Sequence, residues 1–470
     1  MARIRGRGQR FLLLVVLGIS TAWHLPARGE WSASLPLFKA CIPSTPPTLP
    51  KRWRAVGLMM PLVEGQLDVG EFEYDDALPG MRATVYGLES GAADLLIAQK
   101  DTYLLLGPHR APTRCISLGP KLRVPSTQWL SSDSVCVGEA PLAGQPLQWW
   151  QRSGFDVARY WLTTKSRLPW RSLFVKRTLE PAVIGDYAMT NFPTFTPLAE
   201  TNLPALQNFC AAKAETNRTG DIGETPTARE LMAIPNEAAE AEREQRIGEL
   251  IPGLSHQACS GVTPAQWPDR FVSTAMVTPV KINDSSYSTV LYYDWSHAQT
   301  LLILPFHNSP PVLQGILSLK RDTGYRMHFS PPGSKTGICR PDLPGLIKPD
   351  WMKAASCQCR GVISHNPAFS PDGDSQILSC PIKMQAPRIM WSWYTLQGRP
   401  IMFMEARPDE ASGVMLADYY DWVPGQTGQA GDFQLPAACM PAENPAGAAA
   451  ENPAPSFSNP SCSACHTTRW

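Results

Sequence analysis

The second half of this chain repeats the first, and the repeat is written most plainly in its cysteines. Cys41, Cys115, Cys136 and Cys210 are answered by Cys259, Cys339, Cys380 and Cys439. Cys41 to Cys115 is 74 residues and Cys259 to Cys339 is 80. Cys115 to Cys136 is 21 residues against 41 from Cys339 to Cys380, and the added stretch carries Cys357 and Cys359. Other landmarks keep step. Asp101-Thr102-Tyr103 before Cys115 matches Asp322-Thr323-Gly324-Tyr325 before Cys339. Tyr160-Trp161-Leu162-Thr163, Pro169, Gly185-Asp186-Tyr187 and Leu203-Pro204-Ala205 are followed by Ser392-Trp393-Tyr394-Thr395, Pro400, Ala417-Asp418-Tyr419 and Leu435-Pro436-Ala437. A chain built this way is confined to two copies of one fold.

The segments between these landmarks are strand-like. Arg82 to Tyr86, Asp94 to Ala98, Tyr103 to Leu106, Thr289 to Tyr293 and Gln299 to Leu304 are short, β-branched or aromatic, and bounded by Gly, Pro, Asn or Asp. The expected class is mainly β, with antiparallel sheets. Between the copies, Asn236 is placed to cap a helix from Glu237 to about Leu250, ended by Pro252-Gly253 and read as a solvated linker. The expected division is a signal peptide at 1–29, a first domain at 30–210, a linker at 211–258, a second domain at 259–439, and a flexible Pro/Ala/Asn/Glu tail at 440–470.

Arg3, Arg5, Arg7 and Arg10 ahead of the apolar run Phe11 to Ile19 read as an export signal, with Ala27-Arg28-Gly29 at the cleavage end. The chain is therefore expected to be secreted or periplasmic, where its twelve cysteines form disulfides. The parallel spacing predicts Cys41–Cys210, Cys259–Cys439 and Cys115–Cys136. Cys339, Cys357, Cys359 and Cys380 are expected to pair among themselves. A formal net charge of +1 argues against a nucleic-acid or polybasic membrane-surface binder. No segment after the signal is apolar enough to span a bilayer.

With these residues in hand, the chain resembles the LolA-like group of β proteins and, within it, the ependymin-related secreted proteins. The resemblance rests on Cys115 to Trp150 with Pro125 and Trp129-Leu130, on Pro169-Trp170-Arg171, and on Trp391-Ser392-Trp393-Tyr394 through Asp418-Tyr419-Tyr420-Asp421-Trp422. It covers most of residues 41–439. It implies two strongly curved antiparallel sheets, or half-barrels, each with an apolar pocket on its concave side, joined by the helical linker. It further implies a carrier of lipids or other apolar ligands, and ependymin-like members suggest calcium-dependent adhesion. The doubling and the C-terminal tail depart from that pattern.

Pocket residues expected on this reading are Trp149, Trp150 and Trp161 in the first copy and Trp391, Trp393 and Phe403 in the second. The competing reading places the same aromatics in a solid core. Cys462-Ser463-Ala464-Cys465-His466 matches the attachment signature of c-type haem, with a plain terminal disulfide as the alternative. Calcium at Asp418, Asp421 and Asp186 is disfavoured because hard cations want six or more oxygens. No G-x-S-x-G, H-E-x-x-H, Walker or G-x-G-x-x-G motif occurs, so a catalyst is not expected. Three functions compete: an exported binder of an apolar small molecule or lipid, a redox protein carrying haem on its tail, and a structural or adhesion protein that engages another exported protein.

Overall fold

The structure is a computed structural model that describes residues 41–42, 45–61, 66–89, 91–107, 112–119, 134–142, 145–152, 156–176, 187–213, 215–216, 239–279, 287–306, 312–318, 324–329, 337–343, 347–364, 366, 369, 373–382, 388–407 and 413–426. The first copy holds β1 (Arg52–Pro61), β2 (Asp68–Asp75), β3 (Gly80–Gly87), β4 (Ala92–Ala98), β5 (Thr102–Leu106), β6 (Arg114–Gly119), β7 (Val135–Leu142), β8 (Gln145–Arg152), β9 (Asp156–Thr163), β10 (Pro169–Lys176) and β11 (Tyr187–Pro197). A helix, Leu203–Lys213, and β12 (Glu215–Thr216) follow. The linker helix spans Ala239–Leu250 and leads into β13 (Leu254–Ser255). The second copy holds β14 (Arg270–Pro279), β15 (Tyr287–Asp294), β16 (Gln299–Phe306), β17 (Val312–Ser318), β18 (Gly324–Phe329), β19 (Gly337–Leu343), β20 (Gln358–Ile363), β21 (Ser375–Ile382), β22 (Arg388–Thr395), β23 (Pro400–Arg407) and β24 (Gly413–Pro424).

The protein is mainly β and consists of two large unclosed sheets of twelve strands each. Eleven strands of each sheet follow the same order. In each copy the first strand lies in the middle, between the second strand and the last, and the ladder runs outward to both sides: β6-β5-β4-β3-β2-β1-β11-β10-β9-β8-β7, and β19-β18-β17-β16-β15-β14-β24-β23-β22-β21-β20. The irregularities also repeat. Bulges fall between Val56 and Leu58 and between Thr274 and Ala275, at Pro169/Arg171 and at Trp393/Tyr394, and at Cys136/Gly138 and Cys359/Gly361. A bulge bends a strand at one defined place, so matched bulges give both sheets matched curvature. Each copy also ties its first strand to its first hairpin by an ion pair, Arg52 to Asp75 at 3.1 Å and Arg270 to Asp294 at 3.4 Å.

The ladder registers correct the cysteine alignment. Cys136 lies opposite Trp150 and Cys359 opposite Leu378, at the same bulge of equivalent strands. Cys359, not Cys380, is therefore the counterpart of Cys136, and the expected insertion between Cys339 and Cys380 does not exist. The disulfides follow this correction. Cys41 bonds Cys136, Cys115 bonds Cys210, Cys259 bonds Cys359 and Cys357 bonds Cys380. The expected Cys41–Cys210, Cys115–Cys136 and Cys259–Cys439 bridges are replaced. Of the four cysteines expected to pair among themselves, Cys357 and Cys380 do and Cys359 does not. The physical reason is topological. Cys115 and Cys136 sit on β6 and β7, which are consecutive in sequence but occupy opposite ends of the ladder.

The described parts of the segment between the copies pack against the sheets. Glu215–Thr216 adds a parallel strand to β6, and Leu254–Ser255 adds an antiparallel strand to β20. Ile247 and Leu250 of the linker helix are buried.

Candidate functional site

Alternation along each strand sends successive side chains to opposite faces. In β1, Trp53 and Ala55 face one way, while Val56, Leu58 and Met60 face the other. The first set packs with Tyr74 and, more loosely, with Phe72, Phe192 and Phe195. The second set meets the second copy. One buried cluster joins Leu58, Trp149, Trp161, Leu173 and Met189 to Met276, Ile377, Trp391, Trp393, Met402, Met404 and Leu416, with Ile247, Leu250, Ile251 and Leu254 from the linker. Leu58 and Met276, Trp161 and Trp393, Leu173 and Met404, and Met189 and Leu416 are equivalent positions by register. The two copies therefore pack on each other through the same face.

That packing settles where the expected pocket residues lie. Trp149, Trp161, Trp391 and Trp393 are brought together, at 3%, 1%, 0% and 2% exposure, inside this shared core. Trp149 and Trp161 meet edge to face, with centroids 5.4 Å apart. The Trp393 indole donates to Ser375 at 2.8 Å. Trp150 and Phe403 belong to other clusters on the opposite faces, Trp150 with Leu162 and Phe403 with Phe271, Tyr293 and Trp351. The counterpart of Asp418 in the first copy is Asn191, since the two lie opposite the equivalent Met276 and Leu58. Asp418 is fully buried and pairs with Arg171, while Asp421 is exposed. Asp186, Cys439, Cys462, Cys465 and His466 lie outside the described residues, as do the side chain of Cys339 and residues 1–40. Among the described residues, no three His, Cys, Asp or Glu side chains cluster as metal ligands.

A cleft not foreseen from the sequence opens on the first copy, on the same strand face as Val56 and Leu58. Its volume is about 250 Å³, and it is lined by Arg54, Glu71, Glu73, Arg82, Thr84, Pro112, Asn202 and Leu206. Strands β1, β2 and β3 supply the charged floor, and the start of the helix Leu203–Lys213 supplies one wall. The Cys115–Cys210 disulfide pins that helix to β6. The linker helix reaches one of the lining residues, Glu71. Its Arg246 donates to Glu71 at 2.8 Å and to Glu249 at 2.8 Å, and Arg54 also pairs with Glu71. Arg82 holds Asp94 with two bonds, of 3.0 and 2.5 Å, and the Thr84 hydroxyl donates to the same carboxylate at 3.1 Å. Burial alone would lower the Arg82 pKa, but the hydrogen bond and charge of Asp94 outweigh it and hold the guanidinium firmly protonated. Burial pushes the nearby Tyr86 phenol up to about 12. The cleft thus presents fixed charges of both signs beside two apolar side chains. Among the described residues, no histidine or cysteine lines the cleft. The signal available in the sequence was the alternation of Glu71, Glu73, Arg82 and Thr84 at every second position, which marks one polar stripe on an otherwise apolar face.

No family model matches this chain, and no curated protein matches it. Solved structures resemble it distantly. An uncharacterised conserved protein from Thermus thermophilus aligns at 14% identity over 36% of this chain and 92% of its own, with a TM-score of 0.24. A LolA superfamily protein from Nitrosomonas europaea aligns at 13% identity over 38% of this chain and 97% of its own, with a TM-score of 0.21. The MucA/MucB complex of Pseudomonas aeruginosa aligns at 10% identity over 80% of this chain and 94% of its own, with a TM-score of 0.20. Likenesses at this level carry no argument about function, and none of the three bears on the ependymin resemblance.

Proposed function

We propose that this chain is an exported, non-catalytic binding protein whose ligand site is the charged cleft of the first copy. The observation that carries this reading is the cleft's lining. Paired guanidiniums and carboxylates beside Pro112 and Leu206 suit recognition by charge and shape rather than bond-making. The four disulfides among the described residues fit an oxidising compartment. Among the described residues no helix is long and apolar enough to cross a membrane. The ligand proposed is a lipid or other amphiphile held by its polar end. A volume of about 250 Å³ takes a headgroup, not whole acyl chains, since sites for drug-sized ligands run to about 300–1,000 Å³. Native mass spectrometry of the exported protein tests this directly. A co-purifying amphiphile, weakened by Arg54→Gln without loss of folding, is the expected result. A ligand-free protein that binds no anionic or zwitterionic amphiphile overturns it.

A second reading has its own support. Because the aromatic face of each copy is filled by the other copy, the doubled scaffold also suits a structural or adhesion protein that engages another exported protein through its outer surfaces. Haem on Cys462, Cys465 and His466 remains a separate proposal. A Soret band surviving acid–acetone extraction would establish it, and a colourless protein would exclude it.

A further inference from the structure

The two copies meet through the same face, and within the buried contact the Arg171 and Asp418 positions differ in charge between them. Arg171 lies opposite Asn191 in the ladder of the first copy, and Met402 lies opposite Asp418 in the ladder of the second. These are equivalent pairs of positions. Where the first copy has Arg and Asn, the second has Met and Asp. In the folded chain the Arg171 guanidinium reaches across the interface. Its Nη1 donates to Asp418 Oδ1 at 2.5 Å, and its Nε donates to Asn191 Oδ1 at 2.6 Å. The two charged side chains are 5% and 2% exposed. The guanidinium also lies over the rings of Trp161 and Trp170, at 5.6 and 4.8 Å.

We infer that this asymmetric pair selects which copy packs on which, so that a first copy accepts a second copy and rejects another first copy. Two first copies docked through this face would bury two guanidiniums, each facing an asparagine and no anion. Two second copies would bury two carboxylates facing methionine. Only the mixed arrangement neutralises both charges. A buried charge stripped of its partner is strongly destabilising even where the intact pair adds little. Selectivity of this kind comes from making the wrong complex poor. The need is physical. The first copy is synthesised first, and its apolar inner face, with Leu58 and Trp161, is exposed until the second copy exists. First copies on neighbouring chains present that same face.

Full-length variants test the inference. Arg171→Asp puts an acid at both positions of the pair, and Asp418→Arg puts a base at both. Each alone should lose the match between its own copies and unfold at lower urea than wild type. Refolded together, they should form an exchanged dimer in which each chain's first copy sits on the other's second. Light scattering should then show at least about tenfold more dimer than either variant forms alone. The doubly reversed chain, R171D/D418R, should return to a monomer with its urea midpoint largely restored. Single variants that remain folded monomers and do not associate on mixing would overturn the inference. If the single variants fail to fold, a reversed chain that also fails to recover its midpoint would overturn it equally.

Discussion

The indole N–H of Trp391 donates to the backbone carbonyl of Pro61 at 2.7 Å, across 330 residues of sequence. A buried tryptophan finds a partner for its N–H wherever the fold offers one, and here the partner belongs to the other copy. A residue that the sequence marks as ligand-facing is thereby a fastener between two sheets. Arg360 and Glu89 add a second fastener, with both carboxylate oxygens at 2.7 Å.

Trp161→Ala and Trp393→Ala should each cost the full price of a packed-core aromatic, about 3–5 kcal/mol. Urea unfolding measures this. A loss below about 1 kcal/mol, coupled to weaker binding of an apolar dye, would show that these rings line a cavity after all.

The repeat predicts a further bridge. In the first copy, both disulfides close 95 residues. In the second, Cys259 to Cys359 spans 100 residues, and Cys439 lies 100 residues beyond Cys339. The register places Cys339 on β19 where Cys115 sits on β6. Non-reducing peptide mapping should therefore recover a Cys339–Cys439 link. Recovery of Cys339 as a free thiol, or joined to Cys462 or Cys465, would break the correspondence.

Three buried aspartates should give opposite pH signatures. Burial alone would push Asp75 and Asp294 up. Hydrogen bonds from Thr201, the Ala77 N–H and Arg52 outweigh this for Asp75, and those from Ser296 and His297 do so for Asp294, so both are held below the usual carboxylate range. Their contribution to stability is present above about pH 4, the unfolded value, and is lost as pH falls through the folded one. Asp418 is raised by burial, which Arg171 only partly offsets. Its contribution is fullest below about pH 4 and declines as pH rises through its raised value. In urea midpoints measured across this range, Asp75→Asn and Asp294→Asn should flatten the loss of stability in acid. An unchanged acid limb in both variants would refute the assignment.

Gly253 ends the linker helix with φ +86°, and a Cβ there would lie 2.0 Å from the Ser364 carbonyl oxygen. That oxygen cannot retreat, because the Ser364 amide already donates to the Gly253 carbonyl at 3.0 Å. Gly253→Ala should cost at least about 1–2 kcal/mol, beyond the usual penalty for a left-handed alanine. Gly119→Ala is the control: its φ is +77°, but no atom lies within 4 Å of the added Cβ, so only the backbone penalty remains. Equal losses in thermal unfolding would show that the contact at Ser364 contributes nothing.

Much of the fold was legible. Thr289 to Tyr293 and Gln299 to Leu304 read as strands, and they form the hairpin of β15 and β16. The matched tryptophans Trp161 and Trp393 do occupy the same place in each copy. What misled was the choice of cysteine partners. Cys136-Val137-Gly138 and Cys359-Arg360-Gly361 share a Cys-x-Gly pattern, and the 20 residues from Cys339 to Cys359 nearly equal the 21 from Cys115 to Cys136. That pattern marks the shared bulge. The cleft was harder to see, because its charged stripe becomes a site only once the helix Leu203–Lys213 walls it in.

The sequence by itself determined that this chain folds as two copies of one antiparallel sheet, because alternation, turn residues and repeated landmarks act locally and recur in step. Only the tertiary structure decided that the aromatic face of each copy is closed by the other copy. An apolar strand face has the same composition whether a ligand, a helix or a partner sheet covers it, since burial of apolar area carries no direction. Arg171 and Asp418, 247 residues apart, show the same limit in charge. Each is an ordinary surface-type residue in its own strand, and only their meeting in a space emptied of water makes them a pair.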